Sequence, residues 1–459
     1  MDLILRGYQV NDPTWLYLSF LLILAVYFKF SRLWSVRNLD LLLLLSISPG
    51  LLMVRDDNEA SVVAYGYVWL FCVSALILAR VLYDGAIVRR PRLEQNMNAA
   101  GMTFLCAATF LFLTTKLLTE LPPPSTVESI RKANELIEGG KTADRTPLLQ
   151  GESTPDAPSA GPAASLVAVP VATLSKVVAQ GESGHVPSAT DLEVVTARLI
   201  AIFAHLAVII GLAFVGRHAF GDSDLGFAMA TLYMLLPCTA FDVGKINHVL
   251  PAACLVWAIW AWRRPFISGT LVGLACAMMF FPIFLLPLWV AFYGRRGGIR
   301  FCIAVGMTAA VIVSSLVILS HNSDVSLRQF LGYVNWRDLP VFVAGHDKGF
   351  WSEHESAFRI PVFVAYIVML VGLTVWPRRK SLAQVITHSA AIVIGTQFWY
   401  PEQGGVYILW YLPLLLLVLF RPTMTNHVAP EILPIDFLAI LGLRERRKPE
   451  LATSVVGEP

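Results

Sequence analysis

The chain has 459 residues, of which 56% are hydrophobic and 15% charged, with a mean hydropathy of +0.64. A soluble domain carries about 25% charged residues, and so little charge cannot cover this much apolar surface in water. Soluble enzymes, nucleic-acid binders and disordered proteins are excluded together, the net charge of +3 is too small to call for a polyanionic partner, and an integral membrane protein remains.

A bilayer core takes about 20 apolar residues per helix. No basic segment followed by a small-residue cleavage site precedes the first apolar run, which is expected to stay as a span. In chain order, runs 14–31, 39–54, 61–83 and 98–118 predict an N-terminal four-helix region, 1–118. Residues 119–195 hold nine of the 27 prolines and no Phe, Trp or Tyr, a composition that predicts a mostly disordered insert. Within it, Ser125-Thr126-Val127-Glu128 has capping-box form and Val127, Ile130 and Ile137 share a face, predicting one short amphipathic helix ended by Gly139-Gly140. The run Ser165 to Val178 is apolar but interrupted by Pro170. A second membrane region, 196–420, contains runs 196–216, 225–241, 248–262, 299–319, 359–376, 383–399 and 405–420, and a tail, 421–459, follows.

Basic residues in short loops stay cytoplasmic. The clusters Arg32/Arg37, Arg89/Arg90/Arg92, Arg263/Arg264, Arg295/Arg296/Arg300, Arg378/Arg379/Lys380 and Arg421 with Arg444 to Lys448 alternate correctly with eleven spans if the N-terminus is outside and the C-terminus cytoplasmic. The expected location is a bacterial cytoplasmic membrane. The apolar stretch Pro265 to Tyr293 then has basic clusters at both feet, which predicts a re-entrant hairpin broken near Pro282. The expected fold is all-α, a polytopic bundle of about 11 spans plus that hairpin. The spans carry almost no charge beyond their ends; His205 and His388 stand alone near span centres, where a hydrogen-bonded packing role is commoner than a functional one. All six cysteines lie inside apolar runs and no CxxC occurs, so neither a redox motif nor a zinc ribbon is expected.

Candidate chemistry collects on the outer face. Asp56 and Asp57 occupy a tight acidic loop, where a carboxylate could serve as general base on a hydroxyl near the bilayer, or simply form a hydrated turn. Asp242, Lys245, Asn247 and His248 follow the sixth span; a fixed lysine suits a departing phosphate, its alternative being an interfacial snorkelling cation. Loop 320–358 mixes rings with charge, and Trp336, His346, Asp347, Trp351, Glu353 and His354, with Glu402 in a later loop, suit a sugar: rings stack on its apolar face while carboxylates bind hydroxyls. The competing reading is an interfacial aromatic belt. No zinc-helix spacing occurs and no cofactor is expected; a divalent ion held between carboxylates and a substrate phosphate would leave no sequence signature.

The run Tyr233 to Arg296 resembles the C-type membrane glycosyltransferases that use polyprenyl-phosphate sugars, nearest the family 87 mannosyltransferase-like proteins. Gly244-Lys245-Ile246-Asn247 is similar to that family's Gly-Gln-x-Asn. Gly269, Gly273-Leu274-Ala275, Pro282 and Arg295-Arg296 resemble its glycine-rich re-entrant segment, and Phe398-Trp399-Tyr400-Pro401 its turn before a final aromatic helix. Lys245 stands where the family usually has Gln, and Met279 where it often has Lys. The resemblance covers about 196–420 and implies transfer of a sugar from a membrane lipid carrier to an acceptor hydroxyl. A secondary transporter and a catalytically inactive glycosyltransferase-like partner protein are the alternative readings.

Overall fold

A computed structural model describes residues 12–55, 58–86, 93–138, 161–181, 189–319, 349–352, 354–401, 403–424 and 427–430, and the structural statements that follow concern these residues. They are helical throughout: α1 (Asp12–Tyr27), α2 (Val36–Met53), α3 (Ala60–Leu82), α4 (Ala99–Thr119), α5 (Pro124–Glu138), α6 (Pro162–Gly181), α7 (Ala189–Val215), α8 (Ser223–Leu235), α9 (Pro237–Phe241), α10 (Ile246–Trp260), α11 (Pro265–Met278), α12 (Leu286–Leu319), α13 (Arg359–Val375), α14 (Leu382–Trp399) and α15 (Ile408–Phe420). Each of the eleven apolar runs holds helix. Five segments are long and apolar enough to cross a membrane: Val36–Met53, Ala60–Ala86, Ala99–Thr119, Asp191–Phe220 and Phe281–Ile318. The chain is compatible with a multi-pass membrane protein.

Between helices in lipid there is little hydrophobic driving force, so close packing of small residues matters more. A Cβ on Gly216, just past α7, would lie 2.4 Å from the Cα of Gly226, so α7 and α8 meet backbone to backbone. A Cβ on Gly269 of α11 would lie 2.5 Å from the Phe301 carbonyl oxygen of α12. Pro49, Pro170, Pro251 and Pro413 sit inside α2, α6, α10 and α15; Pro251 and Pro413 are buried, so neighbouring helices shield the backbone those rings disrupt, whereas Pro170 is exposed.

The hairpin expected over 265–293 is present. Helix α11 rises for 14 residues, about 21 Å at helical pitch. Met279 is extended, Pro282 lies in a 3-10 turn at Phe281–Leu285, and the first part of α12 returns to Gly294, whose φ of 64° kinks the helix. The Tyr293 hydroxyl donates to the Trp262 carbonyl at 2.8 Å, holding the returning leg beside the start of the rising one.

The insert departs from expectation. Helix α5 forms, but from Pro124, so Ser125 falls in its first turn rather than capping it. Its buried face is Thr126, Ser129, Ile130 and Ala133, not the purely apolar stripe. A second helix, α6, runs through Pro170 and packs on α5 and α7. Its alanines, 163, 164, 168 and 172, bury almost completely, which an aromatic-free segment achieves by lying close to its neighbours. Residues 139–160 and 182–188 lie outside the described residues.

The bundle has two chemically distinct ends. Where α1 begins, Asp12 pairs with Arg55 and, at 2.8 Å, with Lys116; Phe241 and Tyr400 lie at this aromatic end. Where α1 finishes, Arg37 donates to the Tyr27 carbonyl at 3.0 and 2.7 Å. At this arginine end the charge expected at the span ends is folded into the protein. Asp40 of α2 accepts from Arg80 of α3 at 2.6 and 2.8 Å, and Arg80 lies 3.4 Å from Asp84. Asp84 also pairs with Arg421 and accepts from the Thr387 hydroxyl at 3.2 Å. Asp40, Asp84 and Arg421 are 3%, 2% and 5% exposed, a burial tolerated because each charge meets its opposite.

Candidate functional site

The site grows from the chain reversal between α8 and α10. Leu236 is extended, Pro237 starts the short α9, and the turn after Phe241 closes through Lys245 N–H donating to the Asp242 carbonyl at 3.0 Å. Gly244 is required here, since a Cβ would meet Pro123 at 2.7 Å. His205 supports the turn from below. Its Nε2 donates to the Val243 carbonyl at 3.0 Å, which leaves Nδ1 to accept from the Tyr233 hydroxyl at 2.9 Å. The packing role for His205 therefore holds, with the added task of anchoring this loop.

A cleft of ≈ 150 Å³ opens beside the turn, lined by Glu120, Pro123, Arg198, Asp242, Gly244 and Lys245 among others. Lys245 Nζ lies 2.8 Å from Asp242 and remains 31% exposed. Arg198 donates to the Glu120 carbonyl at 3.1 Å, and Lys116 reaches the Glu120 carboxylate at 3.3 Å. Burial pushes the Glu120 carboxyl above the usual range, against the pull of Lys116. Arg55 and Lys116 stand 5.2 and 5.7 Å from the Phe241 ring, as cation–π partners do. Two partly exposed cations, a carboxyl raised by burial and an aromatic edge suit an anionic headgroup carrying hydroxyls.

Asn247 is engaged in the fold instead of facing the cleft. Its amide donates to the Ser125 carbonyl at 3.3 Å and the Ser129 hydroxyl at 3.2 Å, while the Thr126 hydroxyl donates to the Gly244 carbonyl at 2.9 Å. These bonds explain why α5 buries hydroxyls, and they dock the insert over the loop. His248 is buried against the rings of Tyr407 and Trp410, 5.4 and 5.7 Å away. Trp351 donates its indole N–H to the Phe398 carbonyl at 2.9 Å, and Phe350 stacks on Phe71 at 4.2 Å. His354 bonds back to the Phe350 carbonyl at 3.1 Å. Trp351 thus sits against α3 and α14 and His354 stacks on Phe350 in its own loop, both away from the walls of the cleft. Asp56, Asp57, Trp336, His346, Asp347, Glu353 and Glu402 lie outside the described residues. Arg55 and Asn58 flank the acidic pair; Asn58 N–H donates to the Arg55 carbonyl at 3.1 Å, and its side chain donates to the carbonyls of Leu52 and Met53 at 2.8 and 3.1 Å, so both ends of that loop are tethered at the aromatic end.

The tip of the hairpin closes the other side of the turn. Phe281 stacks on Trp410 at 4.7 Å, Trp410 on Tyr407 at 4.3 Å, and Phe280 on Tyr400 at 5.0 Å. Gln397, 1% exposed, staples the loop that follows α14. It donates to the Tyr407 carbonyl at 3.1 Å and accepts from the Gly405 and Tyr407 amides at 3.1 and 3.3 Å. Sequence reasoning missed Gln397, Arg198, Lys116 and Glu120; only the i, i+4 spacing of Lys116 and Glu120 was a visible signal. Among the described residues no three His, Cys, Asp or Glu side chains converge as metal ligands. No family model, curated protein or solved structure matches this chain.

Proposed function

We propose that the protein is an integral-membrane glycosyltransferase that moves a sugar from a polyprenyl phosphate to an acceptor hydroxyl at its aromatic end. Asp56 or Asp57 takes the proton of the acceptor hydroxyl, whose oxygen bonds to the anomeric carbon as the bond from that carbon to the phosphate oxygen breaks. Lys245, with Arg198 across the cleft, holds the phosphate as its charge grows. The hairpin 265–293 lines the groove for the lipid carrier. The observation that supports this reading best is the position of Arg55: it directly precedes Asp56 and lies 5.2 Å from Phe241, the residue before Asp242 in the cleft wall. Measuring mannose transfer from polyprenyl-phosphate mannose in isolated membranes tests it. Asp56→Asn and Asp57→Asn together should lower the rate about 10²- to 10⁴-fold, the usual worth of a general base. Unchanged transfer removes both residues from the mechanism.

A second reading, a secondary transporter, draws on the buried ion network, because ionisable groups within membrane helices commonly mark transport paths. Proton- or sodium-coupled uptake into proteoliposomes that is lost in Asp40→Asn and kept in Lys245→Met would favour it over the first.

A further inference from the structure

At the arginine end a groove of ≈ 570 Å³ runs between the end of α3 and the pair α13 and α14, a volume within the range that holds small ligands. Leu82, Gly85 and Ala86 form one wall; Met369, Gly372 and Trp376 form the other. A Cβ added at Gly85 or at Gly372 would meet nothing within 4 Å, so both glycines border open space. The groove continues an apolar stripe along α13, where Val364, Val368, Val371 and Val375 are 54%, 67%, 54% and 62% exposed. Trp376, 76% exposed, closes that stripe, at the level where tryptophans mark a membrane interface.

The turn beyond Trp376 carries charge in a fixed arrangement. Lys380 is 4% exposed, and its ammonium donates to the carbonyls of Thr374 and Pro377 at 2.6 and 2.8 Å, tying the turn back onto the end of α13. Arg378 and Arg379 are left exposed, with no ion pair to another described residue. A mainly apolar groove, with Gln384 and His388 as its polar lining, follows a lipid-facing stripe, and its lining residues Trp376 and Pro377 directly precede the two exposed arginines. This is the polarity of a phospholipid, chain below and phosphate above. Arginine's fork matches phosphate geometry, and basic sites of this kind beside membrane helices select anionic headgroups. We propose that this groove binds one anionic phospholipid, its acyl chain against Gly85 and Gly372 and its phosphate on Arg378 and Arg379. The site rests on the helices lying in a bilayer and is independent of the transferase reading, since none of its residues touches the aromatic-end cleft.

The full-length protein, purified from nanodiscs of phosphatidylcholine with phosphatidylglycerol, tests this by native mass spectrometry. One phosphatidylglycerol should be retained per chain in preference to phosphatidylcholine, and excess inorganic phosphate should not displace it. Arg378→Ala with Arg379→Ala should weaken retention about thirtyfold, the factor two arginines contribute near an anionic surface. Gly372→Phe, which fills the channel, should abolish retention while the thermal unfolding midpoint stays within that of the parent chain. The matched substitution of Arg295 and Arg296 by Ala, at the same end but away from the groove, should leave it unchanged. Equal retention of both lipids, equal losses in the two arginine pairs, or undiminished retention in Gly372→Phe would each overturn the proposal. Loss of lipid retention with sugar transfer intact would leave the transferase reading standing, and the reverse would leave this site standing.

Discussion

At the arginine end Asp40, Asp84 and Arg421 are no more than 5% exposed and are joined through Arg80 and Thr387. At the aromatic end Lys245 and Arg55 are 31% and 39% exposed around a cleft, each beside a carboxylate that is itself partly open. Both ends carry two kinds of charge, but burial separates their consequences. Removing charges from water is costly, so a buried network holds only while every member is present, and it fixes α2, α3, α14 and the chain beyond α15 in one arrangement. Exposed pairs contribute little to stability and can exchange partners with a ligand. The difference assigns rigidity to one end and exchangeable charge to the other.

The hardest test of that contrast pairs Asp84→Asn with Asp242→Asn. Asp84→Asn leaves Arg421 buried without its carboxylate and should lower unfolding stability by about 3–5 kcal/mol. Asp242→Asn should cost less than about 1 kcal/mol, because its lysine partner is hydrated. Unfolding of the purified protein in detergent measures both, and equal losses would erase the distinction between the ends.

Within the aromatic end, neutral hydrogen bonds take over the work that ion pairs do opposite. Gln397→Leu keeps the volume but strands the buried amides of Gly405 and Tyr407, which should cost about 1–3 kcal/mol. The sharper readout is local: amide hydrogen exchange should rise at Gly405 and Tyr407 and stay unchanged at Asp84 and Thr387. Exchange rising at both ends would mean that the loop and the ion network form one unit.

What could be read from the sequence follows from how local each signal is. A helix occupies every apolar run because hydropathy along 15 to 20 residues is a local property. The hairpin was legible for the same reason: Pro282 and basic feet at Arg263/Arg264 and Arg295/Arg296 lie within one short stretch. Helix α6 was not, since Pro170 reads as a break wherever neighbouring helices are unknown. The ion network was invisible because Asp84 meets Arg421 from 337 residues away and Thr387 from 303. The site divides along the same line. Asp242 and Lys245 are neighbours in sequence and in the cleft, whereas Arg198 and Glu120 reach it only through the fold. Asn247, two residues after Lys245, turns toward α5 because Ser125 and Ser129 supply partners that no local pattern reveals.

The finest discrimination at the cleft concerns Glu120, where burial and ion pairing oppose each other. Burial raises its carboxyl above the ordinary value, while Lys116 and Arg55 pull it down without prevailing. A raised folded value means that the folded protein binds this proton more tightly than the unfolded chain. The stabilisation is then complete below the ordinary carboxylate range and is lost as pH rises through the raised value. Glu120→Gln mimics the protonated group at every pH. It should match the parent chain at about pH 3, below the model carboxylate value, and become slightly the more stable by about pH 7. Solvent screening keeps the gap small, because the side chain is 48% exposed. Unfolding midpoints of the two chains across this interval decide the sign. If Glu120→Gln is instead the less stable at neutral pH, the Lys116 pair outweighs burial, and the aromatic end holds its charges for stability after all, as the arginine end does.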